Sequence, residues 1–279
     1  MNLEEIYSSL NELPLNKSEY CILGSASLVI RGIKEQANDI DILITTKEYN
    51  KIKTSKYSKI DFIVKDEIDI TVEWYDDYQL QTLEEMLENK KKRNLDKDKI
   101  DIELIEKKIE ERNSSGEYTD LYDLNKVKLD EIMFRKKGTK LLVPKDRYTI
   151  VVIGLIKNSD SKYLIQRASK RKKSVFCLPG GHVRHDEDSL AAIKNELKEE
   201  MNLIFGDSEI KLIKTYQYKD GYRDIFLINK DIDIKKTIIE KDEVEEVMFL
   251  SPSEIEKKIS NGEFREHDLD VFYDIIKVQ

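Results

Sequence analysis

Residues Pro179–Leu203 read PGGHVRHDEDSLAAIKNELKEEMNL, a glycine turn followed by carboxylates at fixed spacings along a helical pattern. Leu190, Ile193, Leu197 and Met201 recur at helical spacing and predict a buried stripe, with Glu196, Glu199 and Glu200 sharing the opposite face. Three carboxylates so placed, with no cation among them, repel one another. The arrangement becomes favourable when a hard cation sits on it, and oxygen ligands that leave room for water and a substrate phosphate suit Mg²⁺ or Mn²⁺. Gly180 and Gly181 allow the sharp turn and a close approach of backbone to ligand. Glu199-Glu200 alone would read as a solvated acidic helix face; Gly181, Glu187 and Glu196 in the same register outweigh that reading.

This stretch resembles the Nudix box. The resemblance implies Glu199 and Glu200 as the main metal ligands, Glu196 as a further ligand or the base that activates water, and Glu187 in support of the site. Two positions depart from the pattern: Asn195 stands where Arg is usual and Asn202 where Gly is usual. Asn is the next best residue after Gly for a left-handed helix end, so the second change is mild. The first removes a charged fork that would clamp a neighbouring carboxylate, which leaves open a site that binds without cleaving.

Outward from the box, the 279 residues are 39% hydrophobic, sufficient for ample core and long enough to favour two domains. The longest apolar run, Thr149–Ile156, is too short to span a bilayer, and the N-terminus MNLEEIYSSL carries acid where a signal peptide carries base, so a cytoplasmic protein is expected. The formal charge of −8 argues against a nucleic-acid coat but allows nucleotides held through metal. The cysteines, Cys21 and Cys177, lie one in each half; no disulfide framework is indicated, and Cys177 reads as a packed thiol.

The rhythm of the chain changes at Asn113-Ser114-Ser115-Gly116, where a domain boundary is expected: residues 1–112, a linker 113–116, and residues 117–279. In the first part, CILGSASLVIRG predicts a strand ending at Gly24-Ser25 and a short helix, a turn at which backbone N–H groups and a hydroxyl can meet a triphosphate. NDIDILIT then alternates Asp39 and Asp41 with isoleucines, two carboxylates on one strand face. This order of parts, followed by the hairpin KIDFIVKDEIDITVEW and by Lys97-Asp98-Lys99-Ile100-Asp101, resembles small nucleotidyltransferases of the polymerase-β-like fold. The resemblance implies that Asp39, Asp41 and a third acid hold two Mg²⁺ ions around a triphosphate. Asp69 is the first choice for the third acid and Glu73 the second. The run Lys90–Arg93 reads either as a phosphate contact or as an exposed charged face.

From about Glu117 the second part resembles the lead-in of Nudix proteins close to isopentenyl diphosphate isomerase, including Leu164-Ile165-Gln166-Arg167, with Arg167 a substrate-binding candidate; the isomerase's catalytic cysteine motif is absent. Lys170–Lys173 reads as an exposed loop or a diphosphate contact; the resemblance implies an extra catalytic or metal-binding acid near Glu243, Glu245 and Glu246, and which of these, if any, fills that place is open. Tyr216, Tyr218 and Tyr222 read as core or as a stacking platform for a base, and Ser251-Pro252-Ser253-Glu254 as a helix-starting capping box.

Together the resemblances imply an α/β (α+β) chain: a nucleotidyltransferase fold of mixed sheet and helices, then a Nudix α/β/α sandwich. The expected activity is Mg²⁺- or Mn²⁺-dependent cleavage of a nucleoside diphosphate linked to another moiety, beside transfer of a nucleoside monophosphate to an unknown acceptor. A regulatory, non-hydrolysing Nudix domain and a toxin- or resistance-type transferase are the alternatives. The expected partner is a nucleotide or nucleotide-linked small molecule, with no membrane and with nucleic acid only as a transferase acceptor.

Overall fold

In the computed structural model, Ile40, Ile42 and Ile44 of the strand Ile40–Thr45 (β2) are fully buried, as period-two alternation requires. The structure describes residues 1–52 and 56–278. The chain forms two compact units, Met1–Arg147 and Tyr148–Gln279.

In the first unit, β1 (Tyr20–Ile22), β2, β3 (Ile60–Lys65), β4 (Val72–Tyr75), β5 (Tyr78–Gln81), β6 (Gly116–Tyr122) and β7 (Lys128–Lys136) form one mixed sheet in the order β3-β2-β1-β5-β4-β7-β6. The isoleucines of β2 pack with Ile6 and Leu10 of α1 (Leu3–Asn11) and with Ala26, Val29 and Ile30 of α2 (Gly24–Ile30). Leu28 of α2 turns the other way and packs with Leu83 and Met86 of α4 (Leu83–Arg93) and Ile105 of α5 (Lys99–Ser115); α3 is the single turn Thr46–Tyr49.

The boundary expected at 113–116 falls inside this unit. Gly116 starts β6, whose partner β7 runs parallel to β4, so the change of rhythm there marks a switch from helix to strand. A Cβ on Gly116 would stand 2.3 Å from the Arg135 carbonyl oxygen, so this glycine serves a close strand crossing. The lead-in expected to begin the second domain at Glu117 therefore belongs to the first sheet. The coil after β7 stays with it too: Leu141 and Val143 pack on Trp74, Leu121 and Met133, and Arg147 pairs with Glu131.

The second unit holds β8 (Thr149–Lys157), β9 (Tyr163–Ala168), β10 (Phe176–Cys177), β11 (Gly180–His182), β12 (Lys211–Tyr218), β13 (Gly221–Asn229) and β14 (Val244–Leu250). Their order is β10-β9-β8-β13-β12, with β11 on β8 and β14 on β9. On one face α6 (Ser189–Met201) lies over β8, with Ile193 in close contact at Gly154. On the other, Ile255 of α7 (Pro252–Ser260), Val271 of the short α8 (Leu269–Val271) and Phe272 pack on Ile153, Leu155, Tyr163 and Ile165. The result is an α/β/α sandwich. Ser251 caps α7 through the expected capping box. Among the described residues, no helix is long and apolar enough to cross a membrane.

Candidate active sites

β11 delivers the chain to the start of α6, which begins where the Asp188 side chain accepts the Ala191 N–H at 2.7 Å and ends at Asn202 in the left-handed conformation, φ 53°. Asn202 thus performs the helix-ending role that the sequence assigns to it. Gly180 has φ 150°, and a Cβ on it would meet the Val152 carbonyl oxygen at 2.0 Å. A Cβ on Gly181 would stand 2.2 Å from Glu196 Oε1, so the Glu196 carboxylate occupies the space that a side chain would need. The glycine turn and the carboxylate are one construction.

The three α6 carboxylates do not share one solvated face as expected. Glu199 is exposed, Glu196 half-buried and Glu200 buried at 5% exposure. Glu200 lies on the same side as Ala192, Ile193, Leu197 and Met201, since position 200 follows 193 and 197 around the helix. Its Oε2 accepts a hydrogen bond from Gln166 Nε2 on β9 at 3.0 Å. Burial raises the Glu200 pKa; the Gln166 hydrogen bond and the nearby Lys172 charge oppose the rise, and Glu243 adds to it. Of the three downstream acids, Glu243 is thus the one whose charge reaches Glu200, while Glu245 and Glu246 lie at Arg167.

Expected to stand without a cation, the cluster has one. Arg184, in the loop after β11, places Nη1 2.8 Å from Glu199 Oε1 and Nη2 2.6 Å from Glu199 Oε2, with Nη2 3.9 Å from Glu196 Oε1. Asn195, in the position where an arginine was expected, donates to Glu187, whose other oxygen accepts the Arg184 backbone N–H. A single charge in the linking loop could not be paired with Glu199 by sequence spacing.

Arg167 points to Ser174 and Glu246 and stacks over Phe176, 5.5 Å from the ring centre. Lys172 pairs with Glu243. Cys177 is fully buried and its thiol pKa is pushed up to about 11 by burial, as a packed thiol requires. Tyr222 is core, Tyr216 donates to Asp274, and Tyr218 donates to Asp270 beneath Arg223, which accounts for these rings structurally.

The first unit repeats the glycine–carboxylate construction. Gly24 has φ 56°, and a Cβ on it would lie 2.7 Å from Asp41 Oδ2. Ser25 is half-buried in the first turn of α2, Asp39 is exposed just before β2, and Asp41 is half-buried on it. Burial raises the Asp41 pKa, the charges of Asp39 and Asp61 raise it further, and Arg93 opposes them. Asp61 stands beside Asp41 in the parallel β2–β3 register.

Neither expected third acid joins them. Asp69 lies in the loop before β4, tied to Lys65 Nζ at 2.6 Å. Glu73 is fully buried between Arg31 Nη2 at 2.8 Å and Arg112 Nη1 at 2.8 and 2.9 Å, as the counter-charge of two core guanidiniums. Ile60-Asp61-Phe62 carries the same alternation as β2, and only strand pairing shows that Asp61 is the acid set beside Asp41. Lys90 is buried on Asp98 and Asp101, and Arg93 forks onto Asp98, so these members of the basic run meet the Lys-Asp-x-x-Asp acids.

Residues 147–269 match the NUDIX domain family, and this segment of the chain is a Nudix domain. A Listeria monocytogenes protein described as an uncharacterized Nudix hydrolase is 27% identical over 132 residues, covering 46% of this chain and 77% of the relative. A Listeria innocua protein of the same description is 28% identical over the same shares. Among solved structures, DR0079 from Deinococcus radiodurans is 19% identical with a TM-score of 0.47, covering 58% of this chain and 98% of its own. The second half of the chain thus carries a Nudix domain at residues 147–269 and is similar to proteins described as Nudix hydrolases.

Proposed function

We propose that the second unit hydrolyses a nucleoside diphosphate linked to another moiety, using Mg²⁺ or Mn²⁺ held by Glu196, Glu199 and Glu200. The observation that carries this reading is the placement of Glu196 against Gly181 with the buried Glu200 one helical turn on. The donor set fits a hard divalent cation: it is all oxygen, and Glu200 is a buried carboxylate that accepts a hydrogen bond from the neutral Gln166 amide, a group that an ion would compensate. When bound, the cation supplies charge neutralisation of the diphosphate and a lowered pKa for a coordinated water. Gln166 orients Glu200, and the glycine turn admits the phosphate close to the backbone.

The test is turnover of nucleoside diphosphate sugars, dinucleoside polyphosphates, ADP-ribose and nucleoside triphosphates with Mg²⁺, read by mass spectrometry. A product containing a nucleoside monophosphate supports the reading. A nucleotide that binds with metal and survives incubation would replace it with the ligand-sensing alternative.

Gly181→Ala is expected to retain the fold, because the atom it meets is the mobile end of Glu196, and to lose about 10²-fold in turnover, the scale of a misplaced catalytic group. Unchanged turnover with an unchanged melting temperature would remove Glu196 from the site.

A second reading concerns the first unit and rests on Gly24, Asp41 and Asp61. We infer nucleotidyl transfer there, with Asp39, Asp41 and Asp61 as the acids. Asp41→Asn is expected to abolish transfer of labelled nucleotide to an acceptor while leaving hydrolysis by the second unit intact. Transfer at the wild-type rate would overturn the assignment.

A further inference from the structure

We propose that Arg184 is a two-position residue: it neutralises Glu199 when the site lacks its divalent cation, and it binds the substrate diphosphate when the cation is present. The inference rests on the metal-dependent reading of the second unit and adds a substrate-binding residue to it.

The guanidinium donates to both oxygens of Glu199 at once, 2.8 and 2.6 Å, in the two-pronged geometry that matches a carboxylate. Those are the oxygens that a hard cation needs. A guanidinium and a divalent ion cannot share them without placing like charges in contact, so occupation by one excludes the other. Arg184 then gives up Glu199.

It has no reason to travel far. Nη2 already stands 3.9 Å from Glu196 Oε1, and the Arg184 backbone is held by its N–H on Glu187 at 3.2 Å, so the side chain swings about a fixed base within the site. Its side chain is 33% exposed, so solvent and a bound anion can reach it. Once the cation cancels the acidic field, the anion that fits a planar fork is a diphosphate bound at the same place. Asn195 adds to the case: the α6 position next to Glu196 supplies a neutral amide to Glu187, and the guanidinium at Glu199 comes from the loop instead.

The exchange predicts opposite effects of one substitution. In Arg184→Ala, Mn²⁺ binding to the substrate-free protein, followed by electron paramagnetic resonance, is expected to tighten by about fivefold because a competing charge is gone. Inorganic pyrophosphate binding to the Mg²⁺-loaded protein, followed by calorimetry, is expected to weaken by about tenfold, with KM for the best substrate of the panel rising by a similar factor. Arg184→Lys keeps the charge without the fork and is expected to restore the wild-type Mn²⁺ affinity more fully than the pyrophosphate affinity.

Weaker or unchanged Mn²⁺ binding in Arg184→Ala would overturn the competition, and unchanged pyrophosphate binding would overturn the second position. A residue that merely supports the fold would move both affinities in the same direction. If the wild-type protein neither binds Mn²⁺ nor turns over any nucleotide, the hydrolase reading itself fails. If it does both and Arg184→Ala alters neither, only this proposal falls.

Discussion

Glu200→Gln is expected to lower hydrolysis by about 10³-fold or more, the scale on which one member of a cooperating catalytic set acts, while raising the melting temperature of the metal-free protein. The two effects share a cause. Glu200 is buried and burial raises its pKa, so the folded state resists the charged form. A carboxylate whose folded pKa lies above its unfolded value contributes stability only while protonated, and this contribution is lost as pH rises through the folded pKa. Glutamine is neutral at every pH and nearly the same shape, so it relieves the penalty, and it also removes the charge that a divalent cation needs. Thermal unfolding in chelator, beside Mg²⁺-dependent turnover, checks both. A variant equally active would remove Glu200 from the site. One inactive but less stable would show a structural role, with Gln166 left without its carboxylate partner.

Glu73→Ala is expected to destabilise the first unit by about 3–5 kcal/mol, the cost of leaving buried charge uncompensated. Arg31 and Glu73 have fully buried side chains, and that of Arg112 is 5% exposed. Arg31 also donates to the Gln81 carbonyl, and Arg112 to the Tyr118 hydroxyl. Without Glu73, two guanidiniums remain in the interior with neutral partners.

The pH dependence has the opposite sign to that of Glu200. Burial opposes ionisation of Glu73, yet the charges of Arg31 and Arg112 outweigh it and hold its pKa below the usual carboxylate range. Its stabilisation is therefore present above the unfolded-state pKa and is lost as pH falls through the lower folded value. Urea unfolding of wild type and Glu73→Ala from neutral to acidic pH should show the gap between them close on acidification. A constant gap would mean that the loss comes from packing rather than charge.

Much of the local geometry around α6 was legible in the residues. Gly181, Glu196 and Glu199 lie in local segments, a turn and one helix, where spacing determines direction; Glu200, expected on their face, lies instead on the buried side of the helix. Asn202 ends that helix as its chemistry allows, and the Ser251 capping box starts the next, because caps depend on neighbours a few residues away. The misplaced boundary had a local cause as well: Asn113–Gly116 carries a real break in periodicity, and periodicity cannot tell a linker from a helix that runs straight into a strand.

Sequence by itself therefore determined the parts whose geometry repeats over a turn or two of chain: the carboxylate helix, its glycine turn, and the alternating strand that carries Asp41. Tertiary structure alone decided what those groups meet. It set Asp61 rather than Asp69 beside Asp41, enclosed Glu73 between Arg31 and Arg112, turned Glu200 toward Gln166, and brought Arg184 onto Glu199. The reason is physical. Charge pairing and burial depend on distance in space, and residues 31, 73 and 112 become neighbours only after a sheet and two helices have packed.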